Sequence, residues 1–152
     1  MPGPYPGRVV TVHAPGCIDE ATEQVDVPTV QRMIARGMTT LTGDRDARDS
    51  WARFFTAEDV VGIKVNSSGA PGAMSMPEVV AEIARNLILV GVRAANIVVH
   101  ERGAQILTPR YDRFVPDGVR VEAATGLPSF DPDVHVDVNF FGEDDTLSLI
   151  HI

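Results

Sequence analysis

A strand–helix–strand pattern between residues 59 and 101 constrains the fold of this chain more than any other feature. The stretch DVVGIKVN (residues 59–66) is a mostly apolar run, of the kind that a parallel sheet buries on both faces. PEVVAEIARNLILVGV (residues 77–92) then repeats apolar residues at helical spacing, and NIVVHE (residues 96–101) is a second apolar run. Two strands joined by one helix in this way form a βαβ unit. The sequence therefore predicts an α/β fold, a layered domain with a mainly parallel sheet containing a βαβ unit.

Further elements are predicted on both sides of this unit. RVVTVHA (residues 8–14) has the β-branched content of a strand. Residues 27–41 carry apolar side chains at helical spacing and are followed by Gly43, which predicts a helix and its end. Residues 47–55 predict a second helix, whose aromatic stripe belongs to the core. Two more strands are predicted at residues 119–125 and 133–141.

The helix of the βαβ unit has a predicted signal at each end. Ser75 and Glu78 have the spacing of a capping box, in which the Ser75 hydroxyl accepts the N–H of Glu78 and the Glu78 carboxylate accepts that of Ser75. Gly91 follows the last apolar position and predicts a C-terminal cap. Capping alone therefore explains Ser75 and Glu78 without any ligand.

Charge and cysteine content exclude several classes of function. The net charge is −8 and the pI is about 4.8, which disfavours nucleic acid and anionic membranes as main partners. The single cysteine, Cys17, excludes an intrachain disulfide and an iron–sulfur cluster held by thiolates of this chain. As a nucleophile Cys17 would need a base, and His13 lies nearby in sequence. The favoured interpretation is that Cys17 is a small buried or loop thiol. No apolar run approaches the length of a membrane span, and no signal peptide is visible at Met1.

Polar residues cluster where the two apolar strands of the βαβ unit end, and they are the candidate ligand-binding residues. Ligands of open α/β sheets collect at the carboxyl ends of the strands. A charge inside an apolar strand must be paired or face a cavity, which singles out Lys64. The candidate residues are Lys64, Asn66, Ser67, Ser68, Ser75, Glu101 and Arg102. Two interpretations remain open: a site for a small anion, or caps and ion pairs (Glu101 with Arg102 among them) that only hold the strand exits.

Standard nucleotide-binding motifs do not match this loop. No Gly-Lys-Ser/Thr sequence follows it, and the Gly-x-Gly-x-x-Gly fingerprint is missing from it. Further along the chain, Asp133, His135 and Asp137 alternate on one predicted strand face, as ligands of a divalent metal would. No fourth donor stands at a known distance, so a solvated strand face is favoured and no metal site is predicted.

Three stretches of the chain resemble the DUF362 family, a bacterial group defined by a domain of unknown function. They are YPGRVVTVHAPG, the pair GMTTLTG and WARFF, and above all DVVGIKVNSSGAPGAMSMPEVVAEIARNL; FDPDVHVDVNFFGEDDT is also similar. The resemblance covers most of residues 4–146 and is closest to a branch often exported by the twin-arginine route. It implies a periplasmic or extracytoplasmic protein, with a cytoplasmic location as the alternative. Relatives often carry a histidine where this chain has Met76, so a role for that histidine does not carry over.

The resemblance also implies that this chain is the N-terminal part of a longer protein. Relatives continue into a second half, so we expect the α/β domain to be incomplete here and the missing C-terminal half to be its partner. Residues 1–7 are interpreted as a linker, residues 8–146 as the DUF362-like domain, and residues 147–152 as an artefactual tail of a metagenomic fragment. The predicted function is binding of a small anionic molecule at the loop after Lys64 and Asn66. The alternatives are a non-enzymatic binding or assembly module, and a fragment with no activity alone.

Overall fold

Three parallel strands form the sheet of this protein, in the order β1-β2-β3. The structure is a computed structural model, and it describes residues 4–103 and 109–123. The strands are β1 (Val61–Lys64), β2 (Ile97–Glu101) and β3 (Arg120–Ala123), and the helices are α1 (Val27–Thr42), α2 (Ala47–Ala52) and α3 (Pro77–Leu89). Lys64 pairs with His100, and His100 pairs with Glu122. The predicted α/β fold with a parallel sheet and a βαβ unit, β1–α3–β2, is confirmed.

The core lies on the face of the sheet that α3 covers. Ala84 and Leu87 of α3 are completely buried against Ile97 of β2, and Trp51 of α2 joins the same cluster. A second cluster forms around Val65, Val80 and Val99 near the carboxyl ends of the strands. Helices α1 and α2 contact α3. The layers are therefore the sheet, then α3, then α1 and α2.

Helix ends follow the glycine signals of the sequence. Gly43 ends α1 in the left-handed conformation, with φ of 83°, and its N–H donates to Thr39 O at 2.8 Å. After α3, Gly91 has φ of 106° and donates to Ile88 O, while Val92 donates to Leu87 O. These two bonds make a Schellman motif, which needs a residue that tolerates positive φ at Gly91. Both predicted C-terminal caps are confirmed.

Within residues 4–103 and 109–123, the strand predicted at residues 8–14 does not form. This segment is extended, but it forms no ladder with another strand among the described residues. The segment lies alongside α1 instead: Arg8 Nη1 donates to Leu41 O at 3.2 Å, and Val12 lies close to Gly37. The alternation of side chains that predicts a strand also suits an extended segment packed on a helix, so the pattern alone could not separate the two.

The predicted second helix is shorter than expected. Helix α2 ends at Ala52, Phe54 lies in the turn that follows it, and Phe55 comes directly after that turn. Phe55 still packs with Trp51, at 5.8 Å between the ring centroids, so these two aromatic residues belong to the core as predicted. Phe54 packs with Tyr5 instead.

The opposite face of the sheet is not covered by any described residue. Gly62, Lys64, Arg120 and Glu122 are exposed on it, and Val98 and His100 are half-buried. The interpretation of residues 59–66 as a strand buried on both faces is therefore wrong for residues 4–103 and 109–123. The reason is that the described helices pack on the other face.

Some predicted features cannot be placed. The strand at residues 133–141, with Asp133, His135 and Asp137, and the tail at residues 147–152 lie outside the described residues. Within the part of the chain that is described, no helix combines the length and the apolar character that crossing a bilayer requires.

The buried stripe of α3 gives a direct test of this core. Leu87 is 0% exposed, whereas Leu89, two residues later in the same helix, is 54% exposed. We expect Leu87→Ala to lower the free energy of unfolding by about 2–5 kcal/mol, because it removes buried methyl groups and leaves a cavity. Leu89→Ala is the matched control and should change it by less than about 0.5 kcal/mol. Urea unfolding measures both, and equal losses would contradict the described packing.

Candidate functional site

Lys64 and Glu101 meet at the carboxyl edge of the sheet. Strands β1 and β2 are parallel, so the last residue of each lies at the same edge, as the sequence predicts. Lys64 Nζ donates to Glu101 Oε1 at 2.7 Å and to the backbone carbonyl of Val65 at 2.8 Å. The Lys64 side chain is 57% exposed, whereas that of Glu101 is 9% exposed. The pair therefore joins a mostly buried carboxylate to an ammonium group that still reaches solvent.

The Glu101 carboxylate is held in its charged form. The hydrogen bond from Lys64 lowers the pKa of Glu101 most, and the backbone N–H of Arg102, 2.7 Å from Oε1, lowers it further. Burial acts in the opposite direction and raises that pKa. A buried carboxylate destabilises a fold unless it is paired and hydrogen-bonded. Lys64 and the Arg102 backbone supply both of these contacts.

Glu101 and Arg102 do not form the ion pair that the sequence offered as an alternative. The partner of the carboxylate is Lys64, and Arg102 contributes only its backbone N–H. Among residues 4–103 and 109–123, the Arg102 guanidinium has no ion pair.

Residues 66–75 form a loop that is closed at its base. Ser75 N donates to Asn66 O at 2.8 Å, and Asn66 N donates to the Ser75 hydroxyl at 3.0 Å. Inside the loop, Ser68 N donates to Asn66 Oδ1 at 3.1 Å. A side chain on Gly69 would place its Cβ 2.3 Å from the carbonyl oxygen of Ala73, so only glycine fits there. The loop is therefore tied by its own polar groups.

The predicted capping box is wrong. Helix α3 begins at Pro77 with Met76 as its N-cap, and no side chain caps it. Glu78 is thus the second helical residue, whereas a capping box needs it at the third. The Ser75 hydroxyl accepts from Asn66 instead, and Glu78 Oε2 is buried with no hydrogen-bond partner among the described residues.

The two other serines of the loop, Ser67 and Ser68, differ in their exposure to solvent. Ser67 is 2% exposed, and its hydroxyl has no partner within the described part of the chain. Ser68 is exposed. The structure therefore brings Lys64 together with Glu101, and Asn66 together with Ser68 and Ser75, while the Ser67 side chain is enclosed.

Tyr111 also belongs to this edge, and sequence reasoning missed it. Its hydroxyl donates to Ser75 O at 2.6 Å, and the residue is completely buried. Burial raises the pKa of Tyr111, and the Glu101 charge adds to this rise. Tyr111 begins a short 3₁₀ turn in the irregular connection before β3, where no periodic pattern indicates which side chains are buried.

The residues at this edge neither form a metal site nor line the two cavities described next. Across residues 4–103 and 109–123, no three His, Cys, Asp or Glu side chains are grouped to hold a metal ion. Two cavities, of about 360 and 480 Å³, have walls formed by other residues. Cys17 is half-buried and lines the smaller one.

Comparisons with family models, with curated proteins and with solved structures find no match to this chain. The resemblance to the DUF362 family therefore stays a prediction that depends on the quoted stretches alone.

Tyr111 provides a test of how the loop is anchored. We expect Tyr111→Phe to lower the free energy of unfolding by about 1–3 kcal/mol, because Ser75 O loses a buried donor. The amides of Asn66 and Ser75 should also exchange faster with solvent. Tyr5→Phe is the matched control, since the chain has two tyrosines and the Tyr5 hydroxyl makes no hydrogen bond to described residues. Unchanged exchange at both loop amides would contradict the anchoring role.

Proposed function

We propose that this chain is a non-enzymatic binding or assembly module of a DUF362-like protein, in which the polar residues at the carboxyl edge of the sheet are structural. The observation that carries the proposal is the Lys64–Glu101 ion pair, at 2.7 Å with the carboxylate largely buried. It favours the alternative in which these residues hold the strand exits in place.

Charge balance at the edge supports this proposal. A small anion needs a local positive charge, because the whole chain carries a net charge of −8. Glu101 already neutralises Lys64, and an anion that drew Lys64 away would leave a buried carboxylate without its cation. Leaving a mostly buried carboxylate without its cation is unfavourable, although the exposure of Lys64 limits the loss.

Hydrogen bonding in the loop also supports a structural role for these residues. The Asn66 side chain accepts from Ser68, and the Ser75 hydroxyl accepts from the Asn66 backbone. Ser67 is enclosed. Three of the residues predicted to bind a ligand are thus bonded to one another, which leaves fewer polar groups to meet an anion.

The small-anion site stays a second hypothesis, and the exposed side of Lys64 favours it. Two hydrogen bonds use two of the three Nζ donors, and the side chain is more than half exposed. A stability measurement and a binding measurement on the same variants separate the two hypotheses.

A double-mutant cycle of Lys64→Met and Glu101→Gln measures the pair. We expect Lys64→Met to lower the free energy of unfolding by about 1–3 kcal/mol, because it leaves Glu101 buried without its cation. The coupling energy should be about 0.5–1 kcal/mol, since the exposure of Lys64 screens the interaction. Arg85→Met is the control, because the Arg85–Glu82 pair is longer, at 3.4 Å, and Glu82 keeps its hydrogen bonds from Gln31 and Asn86 without it. It should cost less than about 0.5 kcal/mol.

Thermal unfolding of the same variants in inorganic phosphate and sulfate tests the rival hypothesis. We expect each anion to shift the melting temperature of wild type and Lys64→Met equally, because the edge holds no specific anion site. Specific stabilisation of the wild type that Lys64→Met abolishes would overturn the structural proposal.

The pH dependence of the pair follows from the lowered pKa of Glu101. A carboxyl whose folded pKa lies below its ordinary value of 4.5 contributes stability that is present above that value and is lost as pH falls through the folded pKa. The difference in unfolding free energy between wild type and Glu101→Gln should therefore be constant above about pH 5.5 and shrink in acid. A difference that stays constant to pH 3 would show that Glu101 does not titrate as the pair requires.

A further inference from the structure

Strand β3 forms one edge of the sheet, and within the described ranges no strand pairs with its outer side. An edge strand presents unpaired backbone N–H and C=O groups, which can pair with a strand of another chain. The opposite edge strand, β1, carries Lys64 as its single charged residue, and the Glu101 carboxylate already neutralises it. Strand β3 instead carries charges of both signs, on Arg120 and Glu122.

The side chains of β3 alternate between an exposed charged face and a half-buried apolar face. Arg120 Nη1 lies 3.2 Å from Glu122 Oε1, and about half of each side chain is exposed. Val121 and Ala123 are half-buried and pack against the core cluster near the carboxyl ends of the strands. An ion pair as exposed as this one contributes little to stability, so both charged groups remain able to meet charges of another chain.

Antiparallel pairing of β3 with the β3 of a second copy is self-complementary. A two-fold axis perpendicular to the sheet relates the two strands and keeps their charged faces on the same side. With Val121 opposite Val121 of the second copy, each Arg120 lies opposite a Glu122. Opposite charges in directly facing positions stabilise a pair of strands, and like charges destabilise it.

The neighbouring registers of the same pairing lack this match. Facing residues must share a face of the sheet, so the register changes only by moving to the next residue of that face. Pairing centred on Arg120 places two arginines opposite each other, and pairing centred on Glu122 places two glutamates opposite each other. Charge therefore favours the register centred on Val121 over both of its neighbours.

We propose that this chain forms a symmetric dimer through the β3 edge, in which Arg120 and Glu122 of each copy make two ion pairs with the second copy. The two three-stranded sheets then join into one continuous sheet. Two four-residue strands bury a small area, so the dimer is weak and reversible. The proposal rests on the assembly role proposed above and names its partner. Its test involves neither Lys64 nor Glu101, so the failure of one proposal is distinguishable from the failure of the other.

Analytical ultracentrifugation of the full 152-residue chain across a concentration series tests the dimer. We expect a reversible equilibrium between monomer and dimer, with a Kd below about 1 mM. A chain that stays monomeric up to that concentration would overturn the proposal, whether another segment of the chain occupies the edge or nothing binds there.

Charge reversal with complementation tests the register. Glu122→Arg places positive charge at all four facing positions, and Arg120→Glu places negative charge at all four. Each variant alone should therefore associate at least about tenfold more weakly than wild type. An equimolar mixture of the two variants restores opposite charges and should form a one-to-one heterodimer with nearly the wild-type affinity.

Glu20→Arg is the matched control for these variants, because Glu20 is exposed and lies outside the sheet. It should dimerise like wild type. Charge-reversed variants that each dimerise like wild type, or a mixture that associates no better than its components, would overturn the proposal.

Backbone amide resonances of the wild type locate the contact. Raising the protein concentration should shift the amides of residues 120–123 and leave those of residues 61–64 unchanged, since β1 is the opposite edge of the sheet. This measurement needs no variant, so it decides the matter even where a charge reversal disturbs folding. Concentration-dependent shifts at residues 61–64 without shifts at residues 120–123 would place the contact at the other edge and refute the proposal.

Discussion

Parallel pairing of β1 with β2 is the constraint from which the rest of this structure follows. Two neighbouring parallel strands cannot be joined by a tight turn, so the chain must cross the sheet and return. Helix α3 makes this crossover and buries Ala84 and Leu87 completely against the sheet. The same crossover requires a turn out of β1, and residues 66–75 form that turn. Core packing and the geometry of the carboxyl edge therefore have a single origin.

Contacts at this edge connect three separate parts of the chain. Lys64 and Glu101 join the ends of β1 and β2, Asn66 and Ser75 close the loop, and Tyr111 bonds the same Ser75 from the connection before β3. The Glu101 charge also contributes to the raised pKa of Tyr111, so the ion pair and the tyrosine influence each other. Such a connected arrangement resists displacement of any one member, which suits a structural role better than capture of a ligand.

Sequence patterns predict the elements of this fold that depend on interactions between residues close together in the chain. The apolar periodicity of residues 59–101 predicts the βαβ unit, and Gly43 and Gly91 mark helix ends because each sits at positive φ. For the candidate site, the sequence predicts that Lys64 and Glu101 lie at the same edge of the sheet, because the ends of parallel strands meet there. It failed for Tyr111, whose burial depends on packing with Val65, Val80 and Val99, residues distant in sequence. It also failed for residues 8–14, because an extended segment on a helix has the same alternation as a strand.

The failed capping box explains how the loop of residues 66–75 comes to be closed at its base. A helix start one residue later than the sequence indicates leaves the Ser75 hydroxyl with Asn66 and leaves Glu78 without the Ser75 N–H. At the carboxyl edge, the side-chain polar groups of the loop base and of Glu101 have partners inside the protein. Beside the start of α3, Glu78 Oε2 is buried without a hydrogen-bond partner among the described residues, as is the Ser67 hydroxyl of the loop. The same shift of one residue thus turns the Ser75 hydroxyl from a predicted helix cap into part of the closure of the loop with Asn66.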